Sequence, residues 1–296
     1  RYLIPRQMED HGLTENEVEI RNTAVQELIR RYTRESGVRN LEREIGSICR
    51  KVARKVLDDR EQDQKTFEVI TPERVHKLLG AQRFRYGIAE DKDVIGFVNG
   101  LAYTQVGGVL VPVEAAVVPG KGKLLLTGQL GNVMQESAQA ALTYIRSRSE
   151  IFGLERDFYE KVDIHVHVPE LGPVDGPSAG VTICTAMTSA LLGIPVRRDL
   201  GMTGEITLRG RVRPIGGVKE KLLAAHRGTL AKVLIPEDNA KDLPEVPKKV
   251  RDALQIQRVN HMDQVLREAL VLDDSDGLFS DLEAIRRADR QLQAPG

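Results

Sequence analysis

Residues 162–168 read Val162-Asp163-Ile164-His165-Val166-His167-Val168, and after a turn-rich stretch residues 174–192 read VDGPSAGVTICTAMTSALL. In the first run Val162, Ile164, Val166 and Val168 alternate with polar residues, the period of a half-buried strand. In the second, Val181, Cys184, Thr185, Thr188 and Leu191 recur at helical spacing, and Pro177 suits the first helical position. A strand followed directly by a helix is the unit from which layered α/β domains are built. The same grammar extends to both sides. Strands are expected at Val109 to Val118, Lys123 to Leu126, Lys232 to Pro236 and Ile256 to Val259. Helices are expected at Asn132 to Arg148, Val218 to His226, Asn239 to Leu254 and Met262 to Leu270. A hairpin-like region over Met202 to Pro214 turns at Arg209-Gly210. The spacing predicts an α/β or α+β domain of sheet and helices over residues 96–272.

The first 82 residues have a different texture and are expected to form a small all-α domain. One helix is predicted over Thr14 to Tyr32, opened by the capping box Thr14-Glu15-Asn16-Glu17. Another runs from about Asn40 to Leu57 on the stripe Leu41, Ile45, Ile48, Val52 and Val56. A short strand, Phe67 to Ile70, and a helix from Thr71-Pro72 to Leu79 close the unit. Residues 83–95 hold a charged, aperiodic cluster and are expected as a linker; residues 273–296 are expected as a poorly ordered tail. The chain opens on Arg1 in mid-pattern and reads as part of something longer.

Lys plus Arg and Asp plus Glu both number 43, so the net charge is zero and a globally basic nucleic-acid binder is disfavoured. The basic run Arg30-Arg31 to Arg34 reads as a solvated helix end, where cations complement the dipole. No apolar run approaches the ~20 residues that span a bilayer. With only two cysteines, Cys49 and Cys184, neither a disulfide framework nor a cysteine zinc site is available, which points to a reducing cytoplasm.

The densest chemical signal is Asp175-Gly176-Pro177-Ser178-Ala179-Gly180. Asp175 is placed to cap the helix, and Ser178 falls in its first turn, where it could do no more than satisfy free amides. The same geometry also suits a nucleophile, because helix-start N–H groups favour an oxyanion and small neighbours admit a substrate backbone. A serine nucleophile needs a base. His165 and His167 share a polar strand face with Asp163, and nothing in the spacing demands a Ser178/His167/Asp175 triad. Lysine is the better candidate. In Val218-Lys219-Glu220-Lys221-Leu222-Leu223-Ala224-Ala225-His226, the buried stripe is Val218, Leu222 and Ala225. Lys221 lies at its edge beside small side chains, so the pattern half-buries it. A lysine base needs its pKa lowered from ~10.4 to about 7–8, and burial supplies that shift. The competing reading is a lysine that snorkels to solvent.

Gly120-Lys121-Gly122-Lys123 looks like a phosphate loop, but Leu124 stands where Ser or Thr is required and a strand follows, so it reads as a turn. No H-E-x-x-H occurs, which disfavours a metalloprotease. Two rivals to a hydrolase stay open: a small-molecule kinase using Gly176 to Gly180 as a phosphate cradle, and an interaction module that has lost catalysis.

PVDGPSAG (173–180), MTGEITLRGRVRPIGGVKEKLLAAHRG (202–228) and VPGKGKLLLTGQLGNVMQES (118–137) together resemble bacterial Lon, the ATP-dependent serine protease, over essentially residues 1–272. The resemblance implies a Ser–Lys dyad, with Ser178 as nucleophile and Lys221 as general base. It implies that Thr203 supports the lysine, that Asp175 and Glu114 are acidic residues around the dyad, and that His165 and His167 are not the base. For residues 1–82 it implies the small helical subdomain of an AAA+ ATPase, with Arg39 as the sensor-2 arginine that contacts ATP phosphates in the complete protein. For residues 96–272 it implies a protease domain of the ribosomal S5 domain 2-like type. No G-x-x-x-x-G-K-[ST] occurs in this sequence, so ATP and Mg²⁺ belong to the complete protein and no cofactor is expected here. The implied partners are unfolded or damaged proteins and further copies of the chain in a hexameric ring, with no membrane and no support for nucleic acid.

Overall fold

The computed structural model describes residues 2–33, 35, 37–84, 92–104, 107–128, 130–169, 175–273 and 278. Most of the expected linker and tail, Arg34 and Pro173-Val174 lie outside the described residues. The chain forms two compact units, Arg1–Tyr86 and Gly87–Gly296.

In the first unit, helices α1 (Leu3–Asp10), α2 (Asn22–Arg31), α3 (Arg39–Glu61) and α4 (Pro72–Leu79) bury Met8, Leu28, Ile45, Ile48, Val52 and Val75 in one core. The stripe read along α3 is the face that is buried. Thr71 Oγ1 accepts the amide of Arg74 and so caps α4, as its sequence predicts. The helix expected over Thr14 to Tyr32 is a correction. Its first third, residues 14–20, is a turn and then strand β1 (Val18–Ile20), which pairs in parallel with β2 (Glu68–Ile70), so the unit is not purely helical. The Thr14–Glu17 box does form: Glu17 Oε2 accepts both the amide and the hydroxyl of Thr14, at 2.9 and 2.8 Å. It closes a turn instead of a helix, because the pairing with β2 claims the next backbone groups.

The second unit is built on a mixed seven-stranded sheet in the order β11-β10-β7-β3-β4-β6-β5. The strands are β3 (Phe97–Thr104), β4 (Gly107–Pro119), β5 (Leu124–Gly128), β6 (Val162–Val168), β7 (Leu200–Met202), β10 (Lys232–Pro236) and β11 (Gln255–Val259). A separate hairpin joins β8 (Glu205–Ile206) to β9 (Val212–Arg213). β3 was not foreseen, because Asn99-Gly100 interrupts its apolar run with residues that favour turns. Helices α5 (Asn132–Ser147), α7 (Gly180–Leu192) and α10 (Met262–Ala269) share one core with Val98, Val111, Val113, Ile164 and Val166 of the sheet. Helices α8 (Val218–Arg227) and α9 (Lys248–Ala253) share a second core with Leu101, Val233 and Ile235. Alternation along β3 therefore sends Leu101 to one layer and Val98 and Ala102 to the other. A short helix, α6 (Phe158–Lys161), leads into β6.

Two helix predictions break in this unit. Residues 239–254 form a 3-10 stretch, Glu237–Glu245, and then α9, because Pro244 and Pro247 withdraw backbone donors. The segment expected to start α7 at Pro177 is one 3-10 turn, Pro177–Ala179, before the α-helix begins at Gly180. At the Gly120 turn, Asp163 Oδ1 accepts the amides of Lys121 and Lys123, both at 2.8 Å. A carboxylate already fills this nest of amides, and those amides hold Asp163 below the ordinary aspartate range.

Candidate active site

Ser178 enters the site on the 3-10 turn that opens α7, half-buried and between Pro177 and Ala179. No side chain caps α7. Asp175, expected to do so, is exposed and accepts instead the amide of Met134 at 3.3 Å in the first turn of α5. The Ser178 carbonyl accepts the Gly204 amide at 2.9 Å and the Thr203 hydroxyl at 3.2 Å, which ties the turn to the chain leaving β7.

Lys221 comes from the opposite layer. It lies one turn into α8 and is 2% exposed, more deeply buried than its edge position predicts. Its Nζ donates to Thr203 Oγ1 at 2.9 Å. Among the described residues no carboxylate lies within ion-pair distance of it. Burial therefore acts on the ammonium alone and lowers its pKa from 10.5 to about 8.

The placement of α8 explains how a lysine reaches this position. The β3–β4 hairpin runs against its first turn so closely that a Cβ on Gly108 would lie 1.9 Å from the carbonyl oxygen of Glu220. Only glycine fits there. Gly217, at the N-cap of α8 with φ +69°, turns the chain into the helix against the ring of Tyr103. β3 pairs with β7 only at Asn99 and Gly100, and beyond that point its edge from Leu101 to Tyr103 lines a cleft of about 470 Å³. Ser178, Lys221 and Asp175 line the same cleft.

Glu114, His165 and His167 are not brought to Ser178. Glu114 pairs with His167 across β4 and β6, and these residues line a different cleft with His165. The two imidazoles share one partner: Thr127 Oγ1 lies 2.7 Å from His165 Nε2 and 2.9 Å from His167 Nδ1. Both thiols are buried and burial raises their pKa, Cys49 to about 11, which removes cysteine as a rival nucleophile.

Two family models match the chain in succession. Residues 69–272 match the Lon protease (S16) C-terminal proteolytic domain, and residues 9–66 match the Lon protease AAA+ ATPase lid domain. The chain belongs to the Lon protease family. It is 54% identical over 279 residues to Lon protease 3 of Sorangium cellulosum, covering 94% of this chain and 33% of that protein. It is 56% identical to Lon protease 1 of Myxococcus xanthus and to Lon protease 2 of Desulfotalea psychrophila, in each case over 92% of this chain. The chain thus spans about a third of the length of the curated Lon relatives it matches. No described helix is long and apolar enough to cross a membrane.

What sequence reading missed at this Lon site is the role of the glycines around α8. Gly108 and Gly217 could have been flagged only as conformational punctuation, since their partners, Glu220 and Tyr103, are distant in sequence.

Proposed function

We propose that this chain is a serine endopeptidase that cleaves peptide bonds through an acyl-enzyme, with Ser178 as nucleophile and Lys221 as general base. The reading rests on one observation: a buried amine with no anionic partner among the described residues, held by Thr203, which also holds the carbonyl of Ser178 beside the same cleft. The neutral amine of Lys221 accepts the hydroxyl proton as Ser178 Oγ attacks the scissile carbonyl carbon. Amides of the turn that opens α7 stabilise the oxyanion. The resulting ammonium returns the proton to the leaving amine as the C–N bond breaks. Water then attacks the ester, giving one proton to Lys221, and that proton passes back to Ser178 Oγ as the acid departs.

Thr203 orients Lys221, and Asp175 holds the first turn of α5 at the rim of the cleft. Glu114 acts at one remove, through strand β4, whose Val113 lines the Ser178 cleft. The sheet and its flanking helices are grouped with the ribosomal S5 domain 2-like folds, on the strength of the family resemblance. In the complete protein, ATP with Mg²⁺ supplies the work of unfolding and threading a protein substrate. Arg39, exposed at the start of α3, is free to meet a phosphate there, while this chain carries no phosphate-loop motif of its own. On the resemblance to bacterial Lon, the whole assembly is proposed as a cytoplasmic homohexamer acting on unfolded or damaged proteins in quality control and stress response.

The test is hydrolysis of an unstructured fluorogenic peptide without ATP, with labelling by a fluorophosphonate. Ser178→Ala and Lys221→Gln should each abolish turnover, and Ser178→Ala should also abolish labelling. Turnover undiminished in both variants would refute the assignment.

A further inference from the structure

Helix α7 carries three buried threonines along the face that follows Ser178, and one of them behaves differently. Thr185 and Thr188 donate to the carbonyls one turn back, Val181 and Cys184, each at 2.8 Å. For Thr182 the corresponding acceptor is the Ser178 carbonyl, which already accepts Gly204 N and Thr203 Oγ1. Both lone pairs of that oxygen are in use. The Thr182 side chain lies instead against the backbone of Gly100, where a Cβ would sit 3.2 Å from its oxygen. Its residue is 0% exposed, it lines the cleft that holds Ser178 and Lys221, and Oγ1 has no hydrogen-bond partner among the described residues. The surrounding wall is apolar: Leu101, Ala102, Val111, Val113 and Met134. A buried hydroxyl in such a wall is costly unless something arriving in the cleft bonds to it.

We infer that Thr182 Oγ1 is the polar floor of the subsite that takes the side chain on the acyl side of the cleaved bond. That subsite would then accept an uncharged side chain bearing a hydroxyl or carboxamide alongside apolar ones of equal size. This rests on the peptidase reading above. In a peptide bound for attack, the acyl-side Cβ is two bonds from the attacked carbon, whereas the leaving-side Cβ is three. The acyl-side chain is therefore the nearest to a wall residue one helical turn beyond the nucleophile, where Cβ atoms lie about 5–6 Å apart. Charged side chains are disfavoured, because one hydroxyl cannot replace the hydration they would lose.

The experiment uses paired fluorogenic peptides that differ only at the acyl-side residue, Thr against Val and Asn against Leu. In Thr182→Val, kcat/KM for the Thr and Asn peptides should fall about tenfold relative to their apolar partners, the scale of one lost buried hydrogen bond. Thr182→Ser should keep the wild-type ratios, and Thr182→Ala replaces the valine variant if that does not fold. Ratios unchanged on loss of the hydroxyl would overturn the inference while leaving the peptidase reading intact. A wild-type chain that cleaves none of the four peptides, or a Ser178→Ala variant that cleaves them, would overturn the peptidase reading instead.

Discussion

Thr203 bridges Lys221 to the backbone of Ser178: its Oγ1 accepts from Lys221 Nζ at 2.9 Å and donates to the Ser178 carbonyl at 3.2 Å. A single hydroxyl thereby registers α8 on one layer of the sheet against the turn that opens α7 on the other. Four expectations follow from this geometry and from the burial of the amine.

The base must be neutral to act, and its pKa is lowered to about 8 by burial. The kcat/KM of peptide hydrolysis should therefore rise through an acid limb centred near that value and level off above it. Lys221→Arg should be inactive across the whole range, because guanidinium keeps its proton at any usable pH. A pH–rate profile with its acid limb near 6.5 would point to histidine instead.

The same burial destabilises the fold. Below pH 8 both the folded and unfolded chains hold the Lys221 proton, so the full cost of the buried ammonium is present. Between about 8 and 10.5 only the unfolded chain stays protonated, and stability rises with pH until the cost is gone. Lys221→Met should thus abolish activity yet raise stability at pH 7 by up to about 3 kcal/mol. Urea melts at pH 7 and pH 10.5 check this, since the gain should shrink at the higher pH.

Thr203→Val removes the acceptor for the amine and the donor to the Ser178 carbonyl together. We expect kcat to fall about tenfold to a hundredfold, the scale of ~1.4–3 kcal/mol for an unsatisfied buried polar group. KM should change little, because substrate meets the cleft wall and not Thr203. Thr203→Ser should recover most of the loss. Steady-state kinetics of the three proteins decide the matter.

Gly108→Ala forces a methyl group against the Glu220 carbonyl and pushes the first turn of α8 outward. Lys221 then gains hydration, its pKa climbs back toward 10.5, and the acid limb should move to higher pH as kcat falls. A merely looser fold would lower the melting temperature and leave the limb in place. The pH–rate profile separates the two outcomes.

Strand β6 and helices α5, α8 and α10 were legible because each meets a single environment along one face, so residue period reports burial directly. The place of Lys221 at the edge of the buried stripe of α8 is legible for the same reason, though the depth of its burial is not. Strand β1 lies in a stretch whose periodicity and capping signals favour helix, because such local signals are indifferent to a partner strand some fifty residues away. Glu114 lies in another cleft, whereas Asp175 lines the cleft of Ser178 and Lys221 but accepts the Met134 amide in the first turn of α5 instead of capping α7. Sheet register decides such placements.

The sequence by itself determined the alternation of strands and helices, the helix-start serine and the lysine at an apolar edge, since these depend on residue spacing along one element. Only the tertiary structure decided that Lys221 is sealed from water, that Thr203 links it to Ser178, and that Thr182 lines the cleft with a hydroxyl that has no partner among the described residues. Desolvation and hydrogen-bond accounting belong to atoms brought together from separate elements, and no period along the chain encodes them.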